Sequence, residues 1–266
     1  MMPKITVKSI QSMKASGEKI SALTAYDALF AAYLDESNID IILVGDSVGM
    51  VIAGHEHTLP VTLDEIIYHT KAVRRSVKNA FLVADMPFMS YQISIEKALE
   101  NIGRVMKESG AECVKIEGGQ NVLPLIEHCS AIGIPVMGHI GMTPQSVHKF
   151  GGYHTQGKNK DAEKILLKDA KDLEKAGAIG MVLEKIPAKL AGEITNSIHI
   201  PTIGIGAGPL TDGQILVTQD MLGMFEKFQP KFVRHYRKLA QEIKSAVSEY
   251  NDDVKKGQFP NENESF

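Results

Sequence analysis

The sequence contains no tryptophan and only two cysteines, Cys113 and Cys129. One cysteine falls in a predicted strand and the other in a predicted helix, and their spacing fits neither a disulfide framework nor a zinc site. We expect both thiols to be reduced and buried. The first residues lack the apolar stretch of about 7–15 residues of a secretion signal, and no apolar run approaches the roughly 18 residues of a membrane span. A cytoplasmic protein is therefore expected.

An excess of positive charge is also missing, since 29 Lys and Arg residues face 32 Asp and Glu residues, a formal net charge of -3. This balance provides no basic field for nucleic acid. Hydrophobic residues make up 44% of the chain and charged residues 23%, as in ordinary globular proteins. We therefore expect small molecules as partners, and neither nucleic acid nor a membrane.

Short apolar runs alternate along the chain with amphipathic stretches of helical period. The predicted strands lie near residues 20–25, 41–45, 81–85, 112–116, 134–138, 179–184, 201–205 and 214–217. The predicted helices are Ala28–Asn38, Leu63–Lys78, Ile95–Ser109, Val122–Ile132, Ala162–Ala176 and Lys189–Ser197. Strands that alternate with helices indicate parallel pairing, and eight such units over about 250 residues predict an α/β fold, the (β/α)8 TIM barrel.

A doubly wound sheet has a similar local pattern, but it would place a ligand at a switch in strand order. We favour the barrel because charged residues end the second, third, fourth and sixth strands, and a ring brings them together. No internal repeat or linker divides the sequence, so one barrel domain is expected over residues 1–266. Residues 1–18 would add an N-terminal helical segment at the barrel bottom, and residues 251–266 a polar tail.

Two aspartates, Asp46 and Asp85, follow buried apolar strands. In a parallel barrel their carboxylates converge and repel each other in poorly solvated surroundings. A divalent cation relieves this conflict, and Mg²⁺ commonly takes one or two protein carboxylates and fills its other positions with water and substrate oxygens. Each Asp alone could instead cap the helix that follows it. The pair predicts a hard-metal site.

Lys115 and Glu117 lie two residues apart on the fourth strand and therefore face the same side. Glu117 is a candidate third metal ligand, directly or through water. Lys115 could bind a substrate carboxylate, form a Schiff base or make a structural ion pair. We favour the electrostatic role, because neighbouring carboxylates oppose the low pKa that a Schiff-base lysine needs.

Two further residues end strands that point at the same region. Glu184 ends the sixth strand and is a candidate general base, with a salt bridge to Lys185 or a solvated strand end as the structural alternative. His139 ends the fifth strand and is a candidate active-site residue, although a hydrogen-bonded structural histidine fits that position equally. The glycine-rich connection over residues 139–160 is too long for an ordinary loop and lies at the catalytic end.

Several segments, in order along nearly the whole chain, resemble the ketopantoate hydroxymethyltransferase family, also called 3-methyl-2-oxobutanoate hydroxymethyltransferases. The segments are Thr24–Asp27, Val44–Ser47, Ala84–Phe88, Val114–Gly119, Gly138–Ser146, Val182–Glu184 and Gly204–Gly208. The resemblance implies a Mg²⁺-dependent (β/α)8 barrel that transfers a one-carbon unit from 5,10-methylenetetrahydrofolate to 3-methyl-2-oxobutanoate through a Mg²⁺-stabilised enolate. The product would be 2-dehydropantoate, in pantothenate and coenzyme A biosynthesis.

The same resemblance assigns roles by motif position. Asp46 and Asp85 match the metal-binding aspartates and Glu117 the associated glutamate. The keto-acid contacts match Asp46, Ser47, Asp85 and Lys115, and the proton acceptor matches Glu184. A homo-oligomer, described as a decamer, is implied by the family and by nothing in the residue pattern.

Two other functions compete with this one. A related Mg²⁺-dependent 2-oxo-acid lyase or mutase of the phosphoenolpyruvate mutase and isocitrate lyase type is the alternative enzyme. Such enzymes typically use a reactive cysteine or another acidic cluster in a mobile loop, and residues 139–160 contain no cysteine. A catalytically inactive barrel, kept as a ligand sensor or scaffold, is the non-enzyme alternative, and the intact set of charged residues counts against it.

Overall fold

The computed structural model describes residues 3–226 and 229–266, and the chain forms two compact units, Met1–Val217 and Thr218–Phe266. Within the described residues of the first unit, eight parallel strands form a closed barrel in sequence order. They are β1 (Ile20–Thr24), β2 (Ile41–Val44), β3 (Phe81–Asp85), β4 (Cys113–Glu117), β5 (Val136–Gly141), β6 (Gly180–Glu184), β7 (Thr202–Ile205) and β8 (Gly213–Leu216). Because β8 pairs with β1, the predicted barrel is confirmed and the doubly wound sheet is excluded.

Helices follow the strands as a (β/α)8 barrel requires. In the first unit they are α1 (Val7–Ser16), α2 (Ala28–Glu36), α3 (Val48–Val51), α4 (Leu63–Arg74), α5 (Ile95–Ser109), α6 (Leu123–Ala131), α7 (Val147–Phe150), α8 (Lys160–Lys175) and α9 (Ala188–Ser197). The second unit contains α10 (Thr218–Met221) and α11 (Leu239–Lys256). Short 3-10 helices span Gln120–Val122, Pro144–Ser146 and Glu262–Glu264. The expectation of one domain over residues 1–266 stays a prediction.

Two predicted helices end earlier than their sequence pattern indicates. The first ends at Glu36 and not at Asn38, since Asn38 adopts a left-handed backbone conformation with φ of 61°. The second ends at Arg74 and not at Lys78, and the backbone N–H groups of Lys78 and Ala80 donate to the buried carboxylate of Asp35. After the second helix, the Asp35 carboxylate thus replaces the carbonyl partners that a longer helix would supply.

Side chains alternate between the barrel interior and the helical layer. One buried cluster contains inward residues near the strand starts, namely Ile20, Ala22, Ile41, Leu43, Phe81, Val83, Cys113, Met137, Val182, Ile203 and Ile215. Their immediate neighbours, such as Ala84 and Val114, belong to the cluster that packs with the helices. Since strand side chains repeat every two residues, the inward parity continues to Asp85 in β3 and Lys115 in β4, which are register partners.

The N-terminal helix α1 packs into the barrel interior. Its side chains Ile10 and Met13 are buried in the same cluster as the first inward residues of the strands. Thr6 and Ser9 form a capping box at its start, and Gly17 ends it in the left-handed conformation. The predicted N-terminal helical segment is therefore confirmed, and it covers the end of the barrel opposite the charged strand ends.

Two other expectations concern absences in the sequence. Cys113 and Cys129 are free, buried thiols, as predicted. Among the described helices, none combines the length and apolar composition needed to cross a membrane.

Shortening a buried side chain of α1 should destabilise the protein. Ile10 is fully buried, so Ile10→Ala should lower the free energy of unfolding by about 2–5 kcal/mol through lost burial and a residual cavity. Urea denaturation would measure the change. Ile165→Ala is a matched control at a side chain that is 59% exposed, and it should change stability by less than about 0.5 kcal/mol. Equal losses in the two variants would contradict the anchoring role of α1.

Candidate active site

Five charged or polar side chains gather inside the barrel at the C-terminal ends of β3 to β6. They are Asp85, Lys115, Glu117, His139 and Glu184. Four of them are only 2–6% exposed, whereas the Glu184 side chain is 14% exposed. The register explains the grouping, because Asp85 pairs with Lys115 and Glu117 with His139 on adjacent strands. The structure therefore brings together residues that are up to 99 positions apart in the sequence.

Asp46 joins this group from the turn after β2. Its backbone N–H donates to Asp85 Oδ2 at 3.1 Å, and its carboxylate is buried. Burial, with the negative charges of Asp85 and Glu117, raises the pKa of Asp46 well above its usual value. Burial also raises the pKa of Asp85, although Lys115 opposes this shift. The two carboxylates thus lie in the crowded, poorly solvated arrangement that favours uptake of a proton or a cation.

Helix capping is not the role of Asp46. The short helix α3 begins after Ser47, which makes no side-chain cap bond, and the Asp46 carboxylate accepts instead from Gln145. Ser47, a predicted keto-acid contact, lies beside it with its Oγ 2.8 Å from Tyr26 Oη. A Cβ at position 45, which is Gly45, would come within 2.7 Å of Ser47 Oγ and would displace this hydroxyl.

Lys115 is held as a buried cation. Its Nζ lies 2.8 Å from Asp85 Oδ1 and 3.7 Å from Glu117 Oε1. Burial disfavours the charged amine, but Asp85, Glu117 and Asp46 outweigh it and hold the pKa of Lys115 above its usual value. A charged ammonium suits electrostatic binding of an anion and opposes Schiff-base formation, which needs the neutral amine.

His139 connects Lys115 and Glu117 to Glu184. Its Nδ1 lies 3.0 Å from Lys115 Nζ and 3.4 Å from Glu117 Oε1, and its Nε2 lies 3.3 Å from Glu184 Oε2. Burial and Lys115 disfavour protonation of the ring, but the two glutamates outweigh them and raise the pKa of His139 to about 8. The histidine is therefore hydrogen-bonded and lies among the charged groups, and its active-site role stays a prediction.

Glu184 is the most accessible carboxylate of the group. The alternative of a salt bridge to Lys185 does not describe the geometry, since Lys185 Nζ donates to the Tyr153 carbonyl at 2.7 Å. Lys185 itself adopts a left-handed backbone conformation with φ of 45°. The two adjacent side chains have different partners, His139 for Glu184 and the Tyr153 carbonyl for Lys185.

Sequence reasoning missed Gln145, which lies in the 3-10 helix after β5. Its side chain donates to Asp46 Oδ2 at 2.9 Å, and its backbone N–H donates to Glu117 Oε2 at 3.0 Å. Its segment belongs to the family resemblance, but a glutamine in a loop carries no local signal of such contacts. A cavity of about 570 Å³ borders Glu117 and Gln145, with Phe88, Lys149 and Asp169 on its walls.

The acidic residues at this site offer an open set of oxygen donors. Among the described residues, no three His, Cys, Asp or Glu side chains form a closed metal-ligating cluster. Asp46 and Asp85 are nevertheless both buried, and the Asp46 backbone N–H donates to the Asp85 carboxylate at 3.1 Å. Two carboxylates with open remaining positions fit Mg²⁺, which keeps water or substrate oxygens, better than they fit an ion that needs a full protein cage.

The pairing of His139 with Glu184 can be tested in the metal-free protein. We expect NMR of the His139 ring to give a midpoint near 8, and Glu184→Gln should lower it because the favourable carboxylate is lost. Since the pKa lies above the unfolded value of about 6.5, protonated His139 should contribute stability below about pH 6.5 and lose it as pH rises through 8. The surface control Glu193→Gln should leave the midpoint unchanged, and an unchanged midpoint in Glu184→Gln would contradict the pairing.

Proteins with similar sequences match this chain over its full length. A protein of Geobacter metallireducens named 3-methyl-2-oxobutanoate hydroxymethyltransferase is 55% identical over 266 residues, which cover 100% of both chains. A protein of the same name from Clostridioides difficile is 55% identical over 263 residues, covering 99% of this chain and 96% of the relative.

Solved structures with similar folds are more distant in sequence. A phosphonopyruvate hydrolase complex with oxalate and Mg²⁺ has a TM-score of 0.63 at 11% identity, covering 99% of this chain and 93% of that one. A 2,3-dimethylmalate lyase of the phosphoenolpyruvate mutase and isocitrate lyase superfamily has a TM-score of 0.60 at 14% identity, covering 97% and 90%. At such identities the likeness concerns the barrel fold alone.

The similarity to one protein family extends over nearly the whole chain. The model of the family described as ketopantoate hydroxymethyltransferase matches residues 4–262. With this match and relatives more than half identical over their full length, the chain belongs to the ketopantoate hydroxymethyltransferase family.

Proposed function

We propose that this enzyme transfers a one-carbon unit from 5,10-methylenetetrahydrofolate to 3-methyl-2-oxobutanoate and releases 2-dehydropantoate. The observation that carries the proposal is the meeting of two buried aspartates, Asp46 and Asp85, with the Lys115 cation at one end of the barrel. Glu184 lies at the more exposed side of the same group. This arrangement offers separate groups for a metal ion, a substrate carboxylate and a proton.

Asp46 and Asp85 would hold a divalent cation, with Glu117 as a further ligand, directly or through water. Their oxygen donors suit Mg²⁺. When bound, such a cation supplies a Lewis acid that draws charge from a keto oxygen and makes the neighbouring C–H more acidic.

Lys115 and Ser47 would hold the substrate carboxylate. The Lys115 ammonium is kept charged and in place by Asp85, so it offers a fixed positive charge to an anion. The Ser47 hydroxyl adds a donor that Tyr26 orients at 2.8 Å. A substrate held at its carboxylate presents one face of C3 to the opposite side of the site.

Glu184 would remove the proton from C3 of the keto acid. His139, at 3.3 Å from its carboxylate, orients Glu184 toward the bound substrate. The methylene carbon of the folate donor is bonded to two nitrogens, and one of these C–N bonds would open to give an iminium, with the C3 proton going to the nitrogen that leaves. The C3 carbon would form a C–C bond with this methylene carbon. The second C–N bond would then break as water supplies the hydroxyl group of the product and a proton to the second nitrogen.

The proposed function also has a pathway, a location and an assembly. It includes a place in pantothenate and coenzyme A biosynthesis, a cytoplasmic location and a homo-oligomer, a decamer by family resemblance. An exposed apolar stripe on α11 supports association of copies. Its residues, three or four positions apart, are Ile243, Val247, Tyr250 and Val254.

The shared metal and substrate site can be tested at Asp85. Asp85→Asn should weaken binding of Mn²⁺, used as a probe for Mg²⁺, and of 3-methyl-2-oxobutanoate by about 100-fold or more, since loss of an outer-shell partner alone costs about 10- to 100-fold. Electron paramagnetic resonance would measure the cation and calorimetry the keto acid. Asp161→Asn, at a side chain that is 92% exposed, is the control. Wild-type affinity for either ligand in Asp85→Asn would argue against a shared site.

The role of Glu184 can be tested without folate. Exchange of the C3 hydrogen of 3-methyl-2-oxobutanoate with solvent deuterium should slow by about 10²- to 10⁴-fold in Glu184→Gln, the usual contribution of a general base. Keto-acid affinity should change little, because Glu184 does not hold the carboxylate. Glu193→Gln should exchange like the wild type. Undiminished exchange in Glu184→Gln would remove this residue as the base.

A further inference from the structure

The side-chain amide of Gln145 uses its full hydrogen-bonding capacity. Nε2 donates to Asp46 Oδ2 and to the Met86 carbonyl, each at 2.9 Å. Oε1 accepts from Tyr91 Oη at 2.8 Å and from Gln92 Nε2 at 3.2 Å. An amide has two donors and two acceptor lone pairs, and at 7% exposure all four are satisfied within the protein. A buried amide bonded in this way has one orientation only.

Chemistry determines which end of the amide meets Asp46. An ionised carboxylate and a backbone carbonyl accept hydrogen bonds but do not donate them. Rotation of the Gln145 amide by half a turn would place its oxygen against Asp46 Oδ2 and the Met86 carbonyl. The assignment of Nε2 to this side is thus required by the partners.

The Gln145 backbone reaches a second carboxylate. Its N–H donates to Glu117 Oε2 at 3.0 Å, which leaves Oε1 of Glu117 toward Lys115 and His139. Asp46 in turn donates its backbone N–H to Asp85. One loop residue therefore contacts two of the three predicted metal-site carboxylates directly and reaches the third through Asp46.

We propose that Gln145 is a positioning residue for the metal site: it holds Asp46 Oδ2 and Glu117 Oε2, and so sets the orientation in which these carboxylates meet a divalent cation. Tyr91 contributes by holding the far end of the amide. This inference rests on the proposed function, because it concerns the affinity for the cation on which that function depends. The ordinary alternative is a network that stabilises the fold and has no bearing on the cation.

Gln145→Met separates the two roles. Methionine has a similar volume but makes none of the four hydrogen bonds, and it fits irregular spaces. Positioning predicts that the folded variant binds Mn²⁺ about 10- to 100-fold more weakly, the usual cost of removing an outer-shell partner of a metal ligand. In the transferase assay the Mg²⁺ concentration for half-maximal rate should rise by the same factor, whereas kcat should recover at saturating Mg²⁺.

Two further variants accompany this measurement. Gln156→Met is the matched control, since Gln156 lies in the same connection and its amide donates to the His154 carbonyl at 3.0 Å. It should bind Mn²⁺ like the wild type. Tyr91→Phe removes the hydroxyl that holds Oε1 while Asp46 keeps its partner, so its Mn²⁺ affinity should fall between those of the wild type and Gln145→Met.

The outcomes separate this inference from the proposed function. Wild-type protein that binds Mn²⁺, together with a folded Gln145→Met that binds it equally well, would overturn the positioning role and leave the proposed function standing. A lower melting temperature with unchanged Mn²⁺ affinity in Gln145→Met and Tyr91→Phe would assign the network to stability and overturn the role as well. Wild-type protein that binds no Mn²⁺ would overturn the metal site itself.

Discussion

A buried imbalance of charge dominates the C-terminal end of the barrel. Three carboxylates, Asp46, Asp85 and Glu117, share this region with the ammonium of Lys115. Unpaired charge in a poorly solvated interior is costly, so burial raises the pKa of both aspartates, and hydrogen-bond donors around them oppose this shift. Under the proposed function, the remaining negative charge would favour a cation, and the hydrogen bonds would hold the carboxylates in place for it.

The architecture and most of this group could be predicted from the sequence, for geometric reasons. Parallel strands have their carboxyl ends at one edge, and the period of two determines which residues share a face. The spacing of Lys115 and Glu117 on β4 thus predicts two inward side chains, and the apolar runs before Asp85 and Glu184 predict where those strands end. The structure brings all four into one cluster, in which His139 lies between Glu117 and Glu184.

The remainder depends on loops, where no such period exists. Gln145 contacts Asp46 across 99 positions, and Tyr26 reaches Ser47 from the end of another strand. A glutamine or tyrosine in a turn has many alternative partners, and only the folded chain selects among them. The predicted end of α4 was wrong for the same reason, since the buried Asp35 carboxylate accepts hydrogen bonds from backbone N–H groups after this helix. Periodicity describes elements, whereas contacts between elements decide their limits and the fine geometry of the site.

Ile10 and Met13 of α1 pack among the first residues of the strands and cover that end of the barrel. In the described part of the chain the barrel interior is packed with side chains, so under the proposed reaction a molecule would enter and leave the site at the charged end. Under the proposed reaction, the consumed and the released compound are both 2-oxo acids, and they would compete for the ammonium of Lys115. Substrate and product would therefore share one route to the site, and accumulated product should slow the binding of fresh substrate.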